Sequence, residues 1–290
     1  KVQVDISSSN IPSNMSLGTS NNLSVSVTGK SITKKDFGFD VYNLSPQAGK
    51  VIINEVLYNE TGNGSSAATN NEFIEIYNAS DSAVDLSGWK LMDGNLITND
   101  TDAVGSITGK SSPYLFPNGT TLAPDKYAVI WIGANNPSHQ ASGAAFQAWL
   151  NQPVKLNNTG DDVWLYDSQT QIVDYIAYGS GAGINTPPPS SLKLWDTTYQ
   201  SALTKAVDGQ SISLTKNGLD GNTSACWEPT TSGQAKTQGC PNYLPTRDTD
   251  PTTSLNSAGL NNNGVPKLIL VKRITRLNGD TTNGSIDFTK

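Results

Sequence analysis

Hydrophobic and polar residues alternate with period two in three runs near the start of this chain. Val2-Gln-Val-Asp-Ile6, Leu23-Ser-Val-Ser-Val27 and Phe37-Gly-Phe-Asp-Val-Tyr42 each place apolar residues at every second position. A period of two puts one set of side chains on one face of a strand, so these runs predict half-buried strands. Further strand candidates are Val51–Tyr58, Glu72–Tyr77, Tyr127–Ile132, Asp162–Tyr166, Ile172–Tyr178 and Ser211–Thr215. Gly, Asn, Pro and Asp clusters separate them, which is turn chemistry. Many short strands between turns predict an all-β sandwich or barrel.

Two stretches depart from that pattern. Phe146, Trp149 and Leu150 are spaced i, i+3, i+4 within Ala144–Leu150, which predicts a short helix. Thr197–Val207 is a weaker helical candidate. Pro187-Pro-Pro189 is too stiff for helix or strand and marks a surface connection.

The ends of the chain are the least self-contained parts. Three strands within residues 1–48 bury too little apolar surface for an independent core and read as a β-domain lacking some of its strands. A polar linker, 244–265, leads to Lys267-Leu-Ile-Leu-Val-Lys-Arg-Ile-Thr-Arg-Leu277, one strong strand with no neighbouring strand in sequence. Its apolar residues are Leu268, Ile269, Leu270, Val271, Ile274 and Leu277. The expected organisation is a partial β-domain over 1–48, a main domain over 49–243, the linker, and a terminal strand segment over 266–290. The chain opens at Lys1 inside strand-like sequence, which we read as a processed chain or an interior fragment.

Composition narrows the function classes. Charged residues make up only 15% of the 290 residues, below the roughly 25% of ordinary soluble domains. The formal net charge is −6 and the pI about 4.7, which argues against a nucleic-acid partner. The one basic cluster is Lys272, Arg273 and Arg276, in the terminal strand. No apolar run is long enough to span a membrane as a helix. Cys226 and Cys240 lack a nearby histidine to complete a zinc site. A disulfide between them is the preferred reading and implies an oxidising compartment, so secretion or cell-surface display is expected.

Catalytic chemistry finds little support. His139 lies in a polar loop and is expected to be exposed. No nucleophile elbow, phosphate loop or dinucleotide fingerprint occurs. Glu55 and Glu75 sit in strands expected to be neighbours, but solvent or backbone donors are their expected partners. Three clusters have the oxygen-rich character that calcium uses: Asp93-Gly-Asn95 with Asn99–Asp102, Asp161-Asp162, and Asp248-Thr-Asp250. None has EF-hand spacing, and solvated turns are the expected account. No other cofactor is implied. Trp89, Trp131, Trp164 and Trp227 are expected in the core, whereas Trp149 and Trp195 lie in insertions and are the aromatic candidates for ligand contact.

A resemblance organises the middle of the chain. Val51-Ile-Ile-Asn-Glu-Val56, Asn71-Glu-Phe-Ile-Glu-Ile-Tyr-Asn78 and Val84-Asp-Leu-Ser-Gly-Trp-Lys-Leu-Met-Asp93 resemble the bacterial branch of the lamin tail domain family. Tyr114–Gly119, Leu122–Ile130, Asn157–Tyr166 and Ile172–Ile176 follow in the family's order. Trp227 and Gly239-Cys-Pro-Asn242 resemble its terminal signature, with Gln238 where the family has Pro. The resemblance implies an immunoglobulin-like β-sandwich with surface insertions at 60–70, 95–112 and 180–205. It does not imply one chemistry. Val25-Ser-Val27 with Lys35–Phe39 resembles closing strands of B-type repeats in bacterial surface proteins. Lys267–Gly279 resembles an opening strand of such proteins, cyanobacterial ones in particular.

The two incomplete ends complement each other. An unpaired strand is a template for another chain. The 22-residue linker reaches several tens of ångströms when extended, on the order of 70 Å. The expected function is therefore a non-enzymatic subunit of an extracellular filament, built head-to-tail from copies of itself. The terminal strand is the donor. Val2, Val4, Ile6, Val25, Val27, Phe37, Phe39 and Val41 are the expected acceptor positions. The alternative is a monomeric surface module for adhesion or ligand binding within a larger protein.

Overall fold

A computed structural model describes residues 39–59, 65–98, 100–101, 107–109, 112–180, 187–195, 208–214 and 220–229. It also describes the single positions 184, 206, 217 and 218 and, near the start, residues 2–5, 11, 14–17 and 22–25. These residues are almost entirely β, as the alternation predicts.

The first strands are β1 (Val2–Asp5), β2 (Met15–Leu17), β3 (Asn22–Val25) and β4 (Phe39–Val41). Then come β5 (Val51–Leu57), β6 (Phe73–Asn78), β7 (Val84–Asp85), β8 (Lys90–Met92), β9 (Gly94–Asn95) and β10 (Asp100–Thr101). They are followed by β11 (Tyr114–Leu115), β12 (Thr121–Leu122), β13 (Tyr127–Trp131) and β14 (Phe146–Trp149). The last described strands are β15 (Gly160–Tyr166), β16 (Ile172–Gly179), β17 (Ile212–Leu214) and β18 (Trp227–Pro229).

Two sheets carry the core. One has six strands in the order β14-β13-β6-β5-β17-β18, and the other four in the order β11-β8-β15-β16. β5, β6, β13, β15 and β16 are fully or almost fully buried along their length. Their β-branched and aromatic residues suit such a surface. Alternation sorts the side chains of the six-stranded sheet into two clusters. Ile74, Ile76, Ala128 and Ile130 join the main core with Leu91, Val163, Trp164 and Ile176 of the other sheet. Leu57, Phe73, Val129 and Trp131 point to the opposite face and form a second cluster with Ala141.

The predicted helix over 144–150 is instead β14, paired parallel to β13 with Ala128 opposite Phe146 and Trp131 opposite Trp149. A helix would set Phe146, Trp149 and Leu150 on one face. Here Phe146 and Leu150 pack against the main core while Trp149 packs against the second cluster, as period two requires. The Ala145 and Leu150 amides donate to the Tyr127 and Trp131 carbonyls, so the edge of β13 supplies ladder bonds that a free-standing turn of helix would lack. Of the other helical candidate, Thr197–Val207, only Ala206 lies among the described residues.

The sandwich takes up the chain at Tyr42. That ring is 1% exposed in the main core, and its hydroxyl accepts from Asn95 Nδ2 at 3.1 Å. The Ser45 amide then donates to the Ile172 carbonyl at 2.8 Å. Pro187–Pro189 form neither helix nor strand, and a short 3-10 turn, Ser190–Leu192, follows.

The β15–β16 ladder ends on facing glycines, Gly160 opposite Gly179. Gly179 has φ +68°, and a Cβ there would collide with the Thr159 carbonyl. Gly179→Ala is therefore expected to lower stability by about 2 kcal/mol or more. A reduced urea midpoint with an unchanged slope is the expected reading.

Candidate functional site

The N-terminal residues fall on two separate two-stranded ladders. Val2 pairs with Val25 and Val4 with Leu23 in β1–β3. Leu17 pairs with Phe39 and Met15 with Val41 in β2–β4. Met15–Leu17 is too short and too polar in its flanks to show in the alternation, so the strand partner of Phe39 and Val41 is visible only in the structure. Ile6, Val27 and Phe37 lie outside the described residues, as do Leu268, Ile269, Leu270, Val271, Ile274 and Leu277. Phe39 is 41% exposed, Val41 42% and Leu44 42%. Among the described residues β4 has a strand on one edge only, β2.

Glu55 and Glu75 face each other across β5 and β6, as their neighbouring strands predict. Solvent is not their partner: both are fully buried. Ser211 Oγ donates to Glu55 Oε1 at 2.5 Å and Asn54 Nδ2 to Glu75 Oε1 at 2.7 Å. Asn54 is the extra residue of a bulge between Ile53 and Glu55, which turns its amide toward the acids. Asn54 Nδ2 also donates to Asn217 Oδ1, and Asn217 Nδ2 donates to the Tyr127 hydroxyl. Tyr77 donates to Asp125 Oδ1 at 2.6 Å. Desolvation first, then the Asp125 acceptor and its charge, push the Tyr77 hydroxyl far above its ordinary range. The network ties three strands to the segment after β17; its polar atoms serve as ties between elements of the fold.

Of the acidic clusters read as calcium candidates or solvated turns, four described members are buried: Asp93, Asn95, Asp161 and Asp162. Asp93 Oδ1 accepts from the Ile107 amide at 2.9 Å and Asp161 Oδ2 from the Asn157 amide at 2.8 Å. Asp162 Oδ1 accepts from the Gly94 amide and from Trp164 Nε1. Among the described residues no group of three His, Cys, Asp or Glu side chains gathers at metal-ligand spacing. The side chains of Asp100 and Thr101 are not described, and Asn99, Asp102, Asp248 and Asp250 lie outside the described residues.

His139 also corrects the sequence reading, for it is 2% exposed. Its ring stacks on Trp131 at 5.6 Å, and Nδ1 lies 2.6 Å from the Ala134 carbonyl oxygen and 3.0 Å from Asn136 Nδ2. It closes the crossover between β13 and β14 over the second cluster, where Trp149 Nε1 donates to its carbonyl at 2.8 Å. Trp195, expected in an exposed insertion, is 3% exposed and meets Tyr175 edge-on at 5.8 Å. Trp149 is half-buried. Trp89, Trp131, Trp164 and Trp227 are all in the core. Cys226 is fully buried and is not a free thiol, while Cys240 lies outside the described residues.

Asp174 and Asp220 form a pair that sequence reasoning missed, because nothing in their local sequence marks them. Asp174 Oδ2 accepts from the Ile53 amide at 2.6 Å and Oδ1 from the Tyr175 amide at 2.7 Å. Burial and the charge of Asp220 raise the Asp174 carboxyl well above its ordinary range. Burial raises Asp220 to about 6.

Residues 45–180 match the family model for the Lamin Tail Domain. Comparison with curated proteins found no match. Among solved structures, the crystal structure of a DUF4876 family protein from Bacteroides thetaiotaomicron is similar over 62% of this chain and 71% of its own. The two share 13% identity with a TM-score of 0.38.

The raised Asp220 carboxyl sets a pH dependence. The folded state holds a proton up to about pH 6 that the unfolded chain releases near 3.8, so this stabilisation is full below 3.8 and lost as pH rises through 6. Asp220→Asn keeps an acceptor for the Asn222 amide and removes the charge. The variant is expected to gain about 1 kcal/mol at pH 7.5, a melting point roughly 2–4 °C higher. It should also show a flatter melting curve against pH between 4 and 6.

Proposed function

We propose, from the match of residues 45–180 to the Lamin Tail Domain model, that the chain is a structural or binding module acting as a subunit of an extracellular filament. Copies join head-to-tail by strand complementation. The apolar segment 266–277 of one copy adds to the N-terminal strands of the next. The observation that carries this reading is the exposure of Phe39 and Val41 on a strand with one described partner. Apolar side chains on a half-paired strand are a liability for a chain that stays alone and a docking face for one that polymerises. The length of the linker over 244–265 supports reach to a neighbouring copy.

The alternative, a monomeric adhesion or ligand-binding module of a surface protein, draws on the same fold. It differs in leaving β4 without a partner from another copy.

The reading predicts filaments by negative-stain microscopy of the native chain and their loss when residues 266–290 are removed. Monodisperse particles from both proteins would leave the surface module as the better account. Export to an oxidising compartment adds a second expectation, a Cys226–Cys240 bridge. Intact-mass analysis after denaturing alkylation without reductant should show neither thiol labelled. Cys240→Ser should then cost about 3 kcal/mol, the chain-entropy value for a loop of about 15 residues.

A further inference from the structure

A polar cleft of about 420 Å³ opens where the sandwich takes up the N-terminal strands. Its walls are the turn at Pro46–Lys50, the 80–85 loop and the hairpin between β15 and β16. Asp81, Asp85 and Asp167 line it against one ammonium, Lys50. Lys90 is held at the hairpin wall of the cleft: its Nζ donates to the Ser168 carbonyl at 2.9 Å and to the Asp167 carbonyl at 3.3 Å, beside the Asp167 charge. Asp167 Oδ1 accepts from the Gln169 and Gln171 amides, which fixes the carboxylate at the hairpin. Ser87 donates to Asp85 through its hydroxyl and its amide and holds that carboxyl below its ordinary value, so it stays ionised into mild acid.

The chain enters the cleft from exposed apolar residues: Phe39, Val41 and Leu44 precede Pro46 and Gln47, two of its lining residues. The Ile172 amide donates to the Asn43 carbonyl at 2.8 Å, so the β15–β16 hairpin stands beside the point where this apolar run ends. The surface is therefore apolar along β4 and acidic just beyond it. The terminal segment has the same order in its sequence, with Leu268 to Val271 apolar and then Lys272, Arg273 and Arg276 basic. Phe39 to Leu44 and Leu268 to Arg273 each span five residue steps, roughly 17 Å of extended chain. On either face of a strand, 268–270–272 or 269–271–273, apolar residues precede a basic one.

We propose that the acidic cleft receives Lys272, Arg273 and Arg276 from a second copy of this chain, fixing the direction and register of its terminal strand along β4. The proposal rests on the filament reading and deepens it. In this arrangement the donor runs parallel to β4, with Leu268 near Phe39. The opposite direction would place the basic residues against Phe39 and leave Lys50 and Lys90 as the cations beside Asp81, Asp85 and Asp167. The charges thus select one register among those that a purely apolar strand would accept.

The test uses two full-length variants and sedimentation of assembled material at physiological salt. The acceptor variant carries Asp81→Lys, Asp85→Asn and Gln169→Lys, which makes the cleft basic and keeps an acceptor for Ser87. The donor variant carries Lys272→Glu, Arg273→Glu and Arg276→Glu. Both should melt like the parent. Each alone is expected to need roughly tenfold more protein to assemble, or more, because every contact now pairs like charges. An equimolar mixture should assemble as the parent does, since an alternating polymer restores opposite charges at every junction. Parental assembly by each variant alone would overturn the proposal and leave the filament reading standing. Failure of the mixture, with recovery in a chain carrying both sets of changes, would overturn it in favour of a segment that docks on its own chain. A parent that never assembles would remove the filament reading and this inference with it.

Discussion

Buried carboxylates held by loop amides organise this sandwich. An ionised carboxylate in an apolar interior costs several kcal/mol unless donors surround it. Here several buried acids take a donor from a segment outside the main strands. Glu72 Oε2 accepts from the Lys155 amide and pins the approach to β15. Asp93 holds the chain at Ile107, Asp161 holds Asn157, and Asp162 holds Gly94. Asp174 holds the Ile53 amide, where the bulge frees it from the ladder. Within the 95–112 insertion, Ile107 lies in the core, and its amide has a buried acceptor to meet. Removing any one acid would leave an amide and a loop without an anchor, which is a larger loss than one hydrogen bond.

The same interaction explains what the sequence conceals. The strands were legible because short runs rich in β-branched and aromatic residues stand between turn signals, and those of the core are buried on both faces. The six-stranded sheet honours alternation so closely that Phe146 and Trp149, read as one helical face, separate onto opposite sides of β14. The acids were not legible. Asp93-Gly-Asn95 and Asp161-Asp162 have the composition of a solvated turn, of a calcium loop and of a buried anchor alike. Only the amides that approach them distinguish the three, and those come from residues 14 positions away at Ile107 or 68 at Gly94. His139 and Trp195 are misread for a related reason: a polar neighbourhood in sequence says little when the loop folds back over an aromatic such as Trp131 or Tyr175.

The contrast between the sandwich and its N-terminal extension bears on function. Among the described residues the exposed large hydrophobics are Phe39, Val41, Leu44 and Leu115. Three of the four fall within six consecutive positions, at the junction where the chain enters the sandwich. Isolated exposed hydrophobics need no explanation, but a run along one half-paired strand does.

Charge then decides what kind of partner suits that run. An apolar strip alone accepts many strands in either direction, because its attraction depends on area and hardly on register. The acidic cleft beyond Leu44 adds a position-dependent term, favourable only where basic groups follow apolar ones. Net charge makes the requirement sharper. At −6 the chain repels its own copies in general, so a contact between copies is favourable only where local charge opposes the whole. The basic cluster at Lys272, Arg273 and Arg276 is the one stretch of this sequence with that property, and it follows the apolar residues at the spacing the surface sets.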